Sequence, residues 1–355
     1  MIRTVGVLTF HRCINYGSYW QARCLVEGLR ERGLQAYILD HRSARIDRKE
    51  WRCALHPQRP ALSGHLDADR HAAKVRKFLR AISALPLSDA FGLEGNCIPQ
   101  GHDLVLVGSD EVWNLRHPWY GGQPLFYGDG LSTGRLASYA ASFGNQNASD
   151  GLGKDWCRRL RRFEHVSVRD SNSKRMVDEA LGRSTTLVLD PCLQFAPHIK
   201  SEAALPADWP YLALYGHGFT GQFGRAVRLW ADRRSIPVVS IGYRNDWADS
   251  QWIDAGPDDF AAFMANATAI ATNFFHGCVF ALLNQRPYIC EPSSYRSNKV
   301  CDLAQAIGAD NRVISKETPA GAIAALLDAP PGRNVAQRIA DLRRASSEYL
   351  DRVLH

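Results

Sequence analysis

The stretch Ala267–Leu283, with the sequence ATAIATNFFHGCVFALL, decides the fold of its part of the chain. The run Ala269–Ala271 predicts a buried strand, and the residues after Gly277 predict an apolar helix. His276 is therefore expected at the carboxyl end of a strand and the amino end of a helix, where ligands bind α/β proteins. Free N–H groups there suit a phosphate or carboxylate, and an imidazole transfers protons near neutral pH. A lone histidine is more often a helix cap or a core residue, so the rest of the chain decides.

Strand and helix patterns alternate along the whole chain. Strand Val5–Phe10, helix Ser18–Arg32 closed by Gly33, and strand Gln35–Asp40 predict a right-handed βαβ opening. Further strands are predicted within residues 103–108, 136–141, 166–169, 186–189, 211–215, 237–241 and 288–291, and helices within 152–163, 221–234, 258–266, 318–327 and 336–353. The pattern predicts an α/β protein of two Rossmann-like lobes with parallel sheets and a ligand cleft between the lobes.

The predicted domain boundaries follow from the places where this alternation of strands and helices is interrupted. Residues 42–101 break it and contain a basic helix from about Asp67 to Leu85, so they are interpreted as an insertion. The amino-terminal Rossmann-like domain is expected over residues 1–195, the carboxy-terminal one over 205–330, and a final helical segment over 331–355.

Composition and charge limit the class of protein. With 355 residues, 45% hydrophobic and 22% charged, the chain is expected to fold without a membrane span. Residues 1–8 are interpreted as a first strand of a cytoplasmic protein rather than a signal peptide. The nine cysteines show no zinc-site spacing, so we expect a reducing compartment and no structural metal. No cofactor is expected either.

The net charge of +7 favours anionic partners. Basic residues concentrate in residues 42–80 and 158–162, but no nucleic-acid motif accompanies them, and no nucleic-acid partner is expected. Anionic metabolites, sugar nucleotides and the anionic inner face of a membrane remain open as partners.

A series of loop motifs resembles a known family. The chain is similar to the polysaccharide pyruvyl transferases from its first strand to about Gly308, and the order of the motifs makes the resemblance specific. The motifs are Phe10-His11-Arg12, Asn15-Tyr16-Gly17 before Gln21-Ala22, Gly108-Ser109-Asp110-Glu111-Val112-Trp113-Asn114, Ser138-Tyr139-Ala140-Ala141-Ser142-Phe143-Gly144, Ser167-Val168-Arg169-Asp170, Leu189-Asp190-Pro191, Gly256-Pro257-Asp258-Asp259-Phe260, Phe275-His276-Gly277 and Asn298-Lys299.

The resemblance implies a fold similar to B-type glycosyltransferases and transfer of a pyruvyl group from phosphoenolpyruvate to sugar hydroxyls in polysaccharide or exopolysaccharide biosynthesis. An acid protonates the enol methylene, one hydroxyl attacks the cationic carbon, and a second displaces phosphate to close a ketal. The family's histidine falls on His276. The acceptor would be a saccharide or a lipid-linked saccharide.

One position departs from part of the family. In one branch of the family the sequence at this strand end resembles Arg-x-His, and the arginine binds the anionic group of the donor. The other branch usually has Ser in place of the arginine. This chain has Phe274, which cannot make a bidentate contact. Either Arg169 and Lys299 carry the donor's charge, or the donor is another anionic compound.

Each of the other candidate residues also has a purely structural interpretation. Asp110 is either the base that takes the acceptor's proton or the cap of a helix beginning near Glu111. Arg169 is either an anion clamp or the partner of Asp170 in an ion pair. Trp113 either stacks on a sugar or fills the surface between the lobes.

The remaining candidates lie in loops and at helix starts. Asn15 and Gly17 are donor-binding candidates and Tyr16 an acceptor-binding one, although capping by Ser18 would also explain this loop. His217 follows a strand between two glycines and is an acceptor-binding candidate. Gly277 and Lys299, each at a helix start, are donor-binding candidates.

Two other classes of function remain open. A nucleotide-sugar glycosyltransferase would use the same two lobes but release a nucleotide rather than phosphate. A non-catalytic anion-binding protein would need Arg169 but tolerate loss of His276.

Overall fold

The computed structural model describes residues 2–56, 67–93, 98–196, 209–293 and 297–355. The chain forms two compact units. The first comprises Met1–Glu50, Ile82–Pro197 and Ile339–His355, and the second comprises Trp51–Ala81 and His198–Arg338.

Thirteen strands and twelve α-helices are formed within the described residues. The strands are β1 (Thr4–Leu8), β2 (Gln35–Ile38), β3 (His41–Arg42), β4 (Phe91–Gly92), β5 (Leu104–Val107), β6 (Arg135–Ser138), β7 (Ser167–Val168), β8 (Thr186–Leu187), β9 (Leu212–Tyr215), β10 (Val238–Ile241), β11 (Ser250–Trp252), β12 (Ala269–Thr272) and β13 (Tyr288–Cys290). The helices are α1 (Tyr16–Glu31), α2 (Ala44–Leu55), α3 (Ala68–Ser83), α4 (Lys154–Leu160), α5 (Ser171–Leu181), α6 (Pro191–Gln194), α7 (Gly221–Arg233), α8 (Pro257–Asn266), α9 (Phe275–Leu283), α10 (Ser297–Ile307), α11 (Ala320–Asp328) and α12 (Arg333–Leu354).

The first unit contains a parallel sheet in the order β2-β1-β5-β6. A parallel pair, β7 and β8, is linked to the residues following β6 by the bridge between Ala141 and Val168. Strand β5 is buried along its whole length, as its unbroken apolar sequence Leu-Val-Leu-Val requires of a strand covered on both faces. Two smaller strands, β3 and β4, also pair in parallel.

The second unit contains a five-stranded parallel sheet in the order β11-β10-β9-β12-β13. Its central strands β10, β9 and β12 are buried along their whole length. Apolar side chains from α7, α11 and these strands form one core, which includes Phe223, Trp230 and Leu327. The prediction of two Rossmann-like lobes with parallel sheets is confirmed.

The two compact units differ from the predicted domains at two places. Helix α3 was predicted as part of an insertion in the amino-terminal domain, but it groups with the second unit, where Arg70 donates to the carbonyl of Gln251 and Lys77 pairs with Asp259. Residues 339–355, which include most of α12, group with the first unit, where the hydroxyl of Tyr349 donates to the carbonyl of Ser138 at 2.7 Å. These contacts join residues far apart in sequence, and an element pattern does not reveal them. The predicted boundary between residues 195 and 205 falls largely on residues 197–208, outside the described residues.

Helix α2 was not predicted, because four arginines and lysines on its exposed side obscure the apolar pattern. None of the helices formed by the described residues is long and apolar enough to cross a bilayer.

Candidate active site

His276 lies where the sequence predicts it. Strand β12 ends at Thr272, Phe274 precedes the first turn of α9, and His276 is the second residue of that helix, half-buried. The helix begins two residues before Gly277, slightly earlier than predicted. His276 therefore lies in the first turn of the helix. The backbone N–H groups of a first turn point out of the helix end, which favours binding of an anion.

Gly277 allows this helix to begin so close to the strand. A Cβ atom at residue 277 would lie 2.0 Å from Oγ1 of Thr272. That hydroxyl donates to the carbonyl of Tyr215 at 2.6 Å and accepts from the N–H of Phe274 at 3.1 Å. The absence of a side chain at Gly277 thus preserves the contacts that fix the loop before His276.

Aromatic rings surround Phe274 at the carboxyl end of the second unit's sheet. Its ring centroid lies 4.8 Å from that of Tyr215, 5.2 Å from that of Tyr243 and 5.5 Å from that of His217. Tyr243 and His217 are half-buried, and both follow neighbouring strands of the sheet. The sheet topology therefore brings His217 beside the His276 loop, although the two are far apart in sequence.

Asn273 is a site residue that the sequence reasoning missed. Its Nδ2 donates to the backbone carbonyl of His217 at 2.7 Å, whereas its Oδ1 is buried and has no hydrogen-bond partner among the described residues. A buried acceptor of this kind suits a hydroxyl or a bound water. Its position directly after a buried strand could have identified it from the sequence.

Lys74 is a buried cation at the same end of the second unit's sheet. This residue of α3 is 5% exposed, and its Nζ donates to the carbonyl of Gly242 at 3.0 Å, just after β10. Nζ also lies 4.6 Å from the ring centroid of Tyr243. In the sequence, Lys74 stands on the apolar face of α3, four residues before the buried Phe78.

In the first unit, Asp110 and Arg169 come together at the carboxyl ends of β5 and β7. Oδ1 of Asp110 lies 3.7 Å from Nη2 of Arg169, and Oδ2 accepts from the hydroxyl of Ser18 at 2.7 Å. Nη1 of Arg169 donates to Asp190 at 3.0 Å. Burial acts to lower the pKa of Arg169, but Asp190 and Asp110 outweigh it and the pKa is raised. The guanidinium is therefore a fixed positive charge shared between two carboxylates.

The sequence model of the family described as polysaccharide pyruvyl transferase matches residues 15–295. The chain belongs to this family. As a polysaccharide pyruvyl transferase, it is an enzyme that transfers pyruvyl groups to polysaccharide. The match includes every predicted site residue except Lys299, which lies just beyond it.

Solved structures support the fold of this pyruvyl transferase. UDP-GlcNAc 2-epimerase from Neisseria meningitidis, bound to UDP-GlcNAc, is similar with a TM-score of 0.52 and 12% identity, covering 99% of this chain and 100% of the epimerase. MnaA from S. aureus, bound to UDP, is similar with a TM-score of 0.50 and 12% identity, covering 99% of this chain and 96% of that protein. No curated protein matches the sequence. At this identity the likeness concerns the fold alone.

Two of the alternatives considered for this pyruvyl transferase need correction. Asp110 does not cap a helix, because no α-helix is formed in residues 111–123, all of which are described; its Oδ1 instead accepts from the N–H of Glu111 at 2.9 Å. The carboxylate hydrogen-bonded to Arg169 is Asp190 and not Asp170, which caps α5 by accepting from the N–H of Ser173.

The assignment of Trp113 to acceptor binding is also corrected. Its side chain is fully buried, and its Nε1 donates to the carbonyl of Phe126 at 2.9 Å, so it packs in the core of the first unit. Tyr16 is likewise buried, 1% exposed, within the first turn of α1. Both aromatic side chains are buried, and the sequence alone does not distinguish a buried aromatic residue from one that stacks on a sugar.

Two helix starts carry the remaining candidates. Helix α1 begins at Tyr16, and its cap is Asn15, whose Oδ1 accepts from the N–H of Ser18 at 3.2 Å; capping by Ser18 itself was wrong. Gly17 is the second residue of the helix. Lys299 is the third residue of α10, half-buried, on a helix that packs against α9.

Proposed function

We propose that the enzyme takes its pyruvyl group from phosphoenolpyruvate and forms a pyruvate ketal on two hydroxyls of a saccharide, with release of phosphate. The observation that carries this proposal is the position of His276 in the first turn of α9, within a chain of the pyruvyl transferase family. The loop that holds it is fixed by Thr272, so the imidazole is presented from a rigid support.

In the proposed reaction, His276 donates a proton to the enol methylene of the donor. The double bond then becomes a cationic carbon stabilised by its attached oxygen, and the first sugar hydroxyl adds to it. The second hydroxyl displaces phosphate, which leaves with the electrons of its carbon–oxygen bond, and the proton of that hydroxyl returns to the imidazole of His276. Proton transfer by a positioned histidine contributes about a hundredfold or more to the rate.

We assign removal of the acceptor's proton to Asp110. Its carboxylate is oriented by the hydroxyl of Ser18 and lies beside Arg169. Since the charge of Arg169 is shared by Asp110 and Asp190, we assign Arg169 to holding this carboxylate in place as well as to attracting the donor. Asn15 and Gly17 remain donor-binding proposals at the start of α1.

At the His276 loop, we assign Gly277 and Lys299 to the donor and His217 to the acceptor. Gly277 lies in the first turn of α9, at the positive end of the helix dipole, and Lys299 adds a positive charge on the helix packed against α9. His217 offers a half-buried ring beside Phe274, where a sugar face could pack.

We further propose that the enzyme acts in the cytoplasm, on a saccharide or lipid-linked saccharide destined for an exopolysaccharide. Trp51 is 45% exposed on α2, beside the exposed Arg52. An exposed indole with neighbouring cations suits the interface of an anionic membrane. Co-sedimentation with vesicles of anionic but not of zwitterionic lipid, reduced by Trp51→Ala, is the expected result; equal recovery with both vesicles would contradict it.

The proposed reaction is tested by measuring phosphate released from phosphoenolpyruvate with a panel of saccharide acceptors. We expect acceptor-dependent release by the natural enzyme and loss of about a hundredfold or more in His276→Gln. His56→Gln, which replaces an exposed histidine, is the matched control and should keep full activity. Release of a nucleotide from a sugar nucleotide, with none of phosphate from phosphoenolpyruvate, would replace this proposal by glycosyl transfer.

A further inference from the structure

Two asparagine side chains hold the loop of residues 216–218, which follows the central strand β9 of the second unit's sheet. Nδ2 of Asn273, just after β12, donates to the carbonyl of His217 at 2.7 Å. Nδ2 of Asn245, which follows β10, donates to the carbonyl of Gly216 at 2.9 Å. Because β10 and β12 are the two neighbours of β9, the loop that carries His217 is bonded to residues that follow both neighbouring strands.

The amide of Asn273 has a defined orientation. Since the carbonyl of His217 only accepts hydrogen bonds, Nδ2 must face it and Oδ1 must point away. A Cβ atom at residue 216 would lie 2.1 Å from this Oδ1 and 2.7 Å from Cζ of Phe219. The absence of a side chain at Gly216 therefore gives Asn273 room to reach the backbone of His217 from a position that is 2% exposed.

The imidazole of His217 contacts aromatic rings that follow the same two strands. Its ring centroid lies 5.2 Å from that of Tyr243, after β10, and 5.5 Å from that of Phe274, after β12. The orientation of the imidazole against these rings depends on where the backbone of His217 is held. Asn273 bonds that backbone directly.

His276 has a separate support. Its loop is fixed by Thr272, whose hydroxyl donates to the carbonyl of Tyr215 at 2.6 Å. This bond does not involve Asn273. Loss of the bond from Asn273 is therefore expected to displace His217 and to leave the imidazole of His276 in place.

We propose that Asn273 is a positioning residue, whose bond to the backbone of His217 holds that imidazole where it binds the saccharide acceptor. This inference rests on the proposed function, in which His217 is assigned to the acceptor. It gives different roles to two residues of one motif, because Asn273 acts on acceptor binding through His217 while His276 acts on the donor.

The test measures phosphate release at saturating phosphoenolpyruvate with, from a series of methyl hexosides, the one that reacts fastest. Asn273→Asp keeps the size of the side chain but replaces the donor with an oxygen that repels the carbonyl of His217. We expect KM for the methyl hexoside to rise about threefold to tenfold, more than kcat falls. The Kd of phosphoenolpyruvate, measured by calorimetry, should stay unchanged.

Asn266→Asp is the matched control for this substitution. Nδ2 of Asn266 also donates to a backbone carbonyl, that of Ala262 at 2.9 Å, but it lies at the exposed end of α8. Asn266→Asp should leave KM, kcat and the Kd of phosphoenolpyruvate unchanged.

A double-mutant cycle decides whether Asn273 acts through the imidazole. His217→Ala removes the ring but keeps the backbone carbonyl to which Asn273 donates. In the His217→Ala background, Asn273→Asp should therefore change KM for the methyl hexoside by less than about twofold. Equal effects of Asn273→Asp with and without the ring would mean that Asn273 contacts the acceptor itself, and would overturn the inference.

The remaining outcomes separate the inference from the proposed function. A lower melting temperature with an unchanged KM in Asn273→Asp would make Asn273 a structural anchor only and overturn the inference, while leaving the function intact. Transfer from UDP-GlcNAc but not from phosphoenolpyruvate, with the same dependence of KM on Asn273 and His217, would support the inference and overturn the proposed donor. No transfer from either donor would overturn both. If Asn273→Asp does not fold, Asn273→Ala, which also removes the donor, replaces it in the same comparisons.

Discussion

Replacement of Gly277 by alanine should disturb the loop that holds His276. The added Cβ would lie 2.0 Å from Oγ1 and 2.7 Å from Cβ of Thr272, far inside contact distance. Thr272 is fully buried between its bonds to Tyr215 and Phe274, so it cannot turn away without breaking one of them. The substitution therefore forces either the strand end or the helix start to move.

The expected loss of stability follows from three contributions. Overpacking a buried contact costs about 1–3 kcal/mol, and losing the Thr272–Tyr215 hydrogen bond costs about 0.5–1.5 kcal/mol. Alanine offsets up to about 1 kcal/mol, because it restricts the unfolded chain more than glycine does. The free energy of unfolding of Gly277→Ala should thus fall by about 0.5–4.5 kcal/mol.

Urea unfolding and phosphate release should both be measured for this variant. A shift of about 1 Å at His276 lowers turnover on the order of a hundredfold. Gly321→Ala is the matched control, since Gly321 also lies in the first turn of a helix but has open space where a Cβ would be placed. If Gly277→Ala were as stable and as active as Gly321→Ala, the close packing of this loop would be refuted.

Three further predictions concern the first unit. Burial lowers the pKa of His41 from 6.5 to about 3, so the folded chain resists a proton that the unfolded chain accepts. The neutral imidazole therefore costs no stability above about pH 6.5, and the free energy of unfolding falls by up to about 1.4 kcal/mol per pH unit as the pH drops towards 3. In His41→Gln the free energy of unfolding should depend less on pH over that range; an unchanged dependence would contradict the burial of a neutral His41. Arg169→Ala leaves Asp190 buried without its hydrogen-bonded cation and should lower the free energy of unfolding by about 3–5 kcal/mol in denaturant titrations; a loss below about 1 kcal/mol would mean that Arg169 is not a structural ion-pair partner. Trp113→Phe removes the donor to a buried carbonyl and should cost about 1–3 kcal/mol by thermal unfolding while leaving KM for the saccharide unchanged; a raised KM with normal stability would return Trp113 to the acceptor site.

The sequence was sufficient to predict the parallel strands and the placement of His276. Strands such as β5 and β12 are continuous apolar runs, and the motif between β12 and α9 marks the strand end directly. Both signals are local, so no knowledge of distant contacts was needed.

Other features depend on contacts between residues far apart in sequence. Helix α3 groups with the second unit, where Lys77 meets Asp259, and Trp113 is buried in the first unit's core, where it donates to the carbonyl of Phe126. A tryptophan in a loop has the same sequence signature whether it packs inside or faces a ligand. The loop of Asn15 illustrates a smaller error, since Asn and Ser are equally good caps and only the backbone shows which one is used.

The source of the methyl protons in the product tests the proposed chemistry most directly. The reaction is run in D₂O with phosphoenolpyruvate and an acceptor that supports phosphate release, and the pyruvylated saccharide is analysed by mass spectrometry and proton NMR. Protonation of the enol methylene by His276, which exchanges its proton with solvent, predicts a single deuterium in the ketal methyl group and loss of this product in His276→Gln. A product without deuterium, or one formed at the normal rate by a folded His276→Gln variant, would contradict the account.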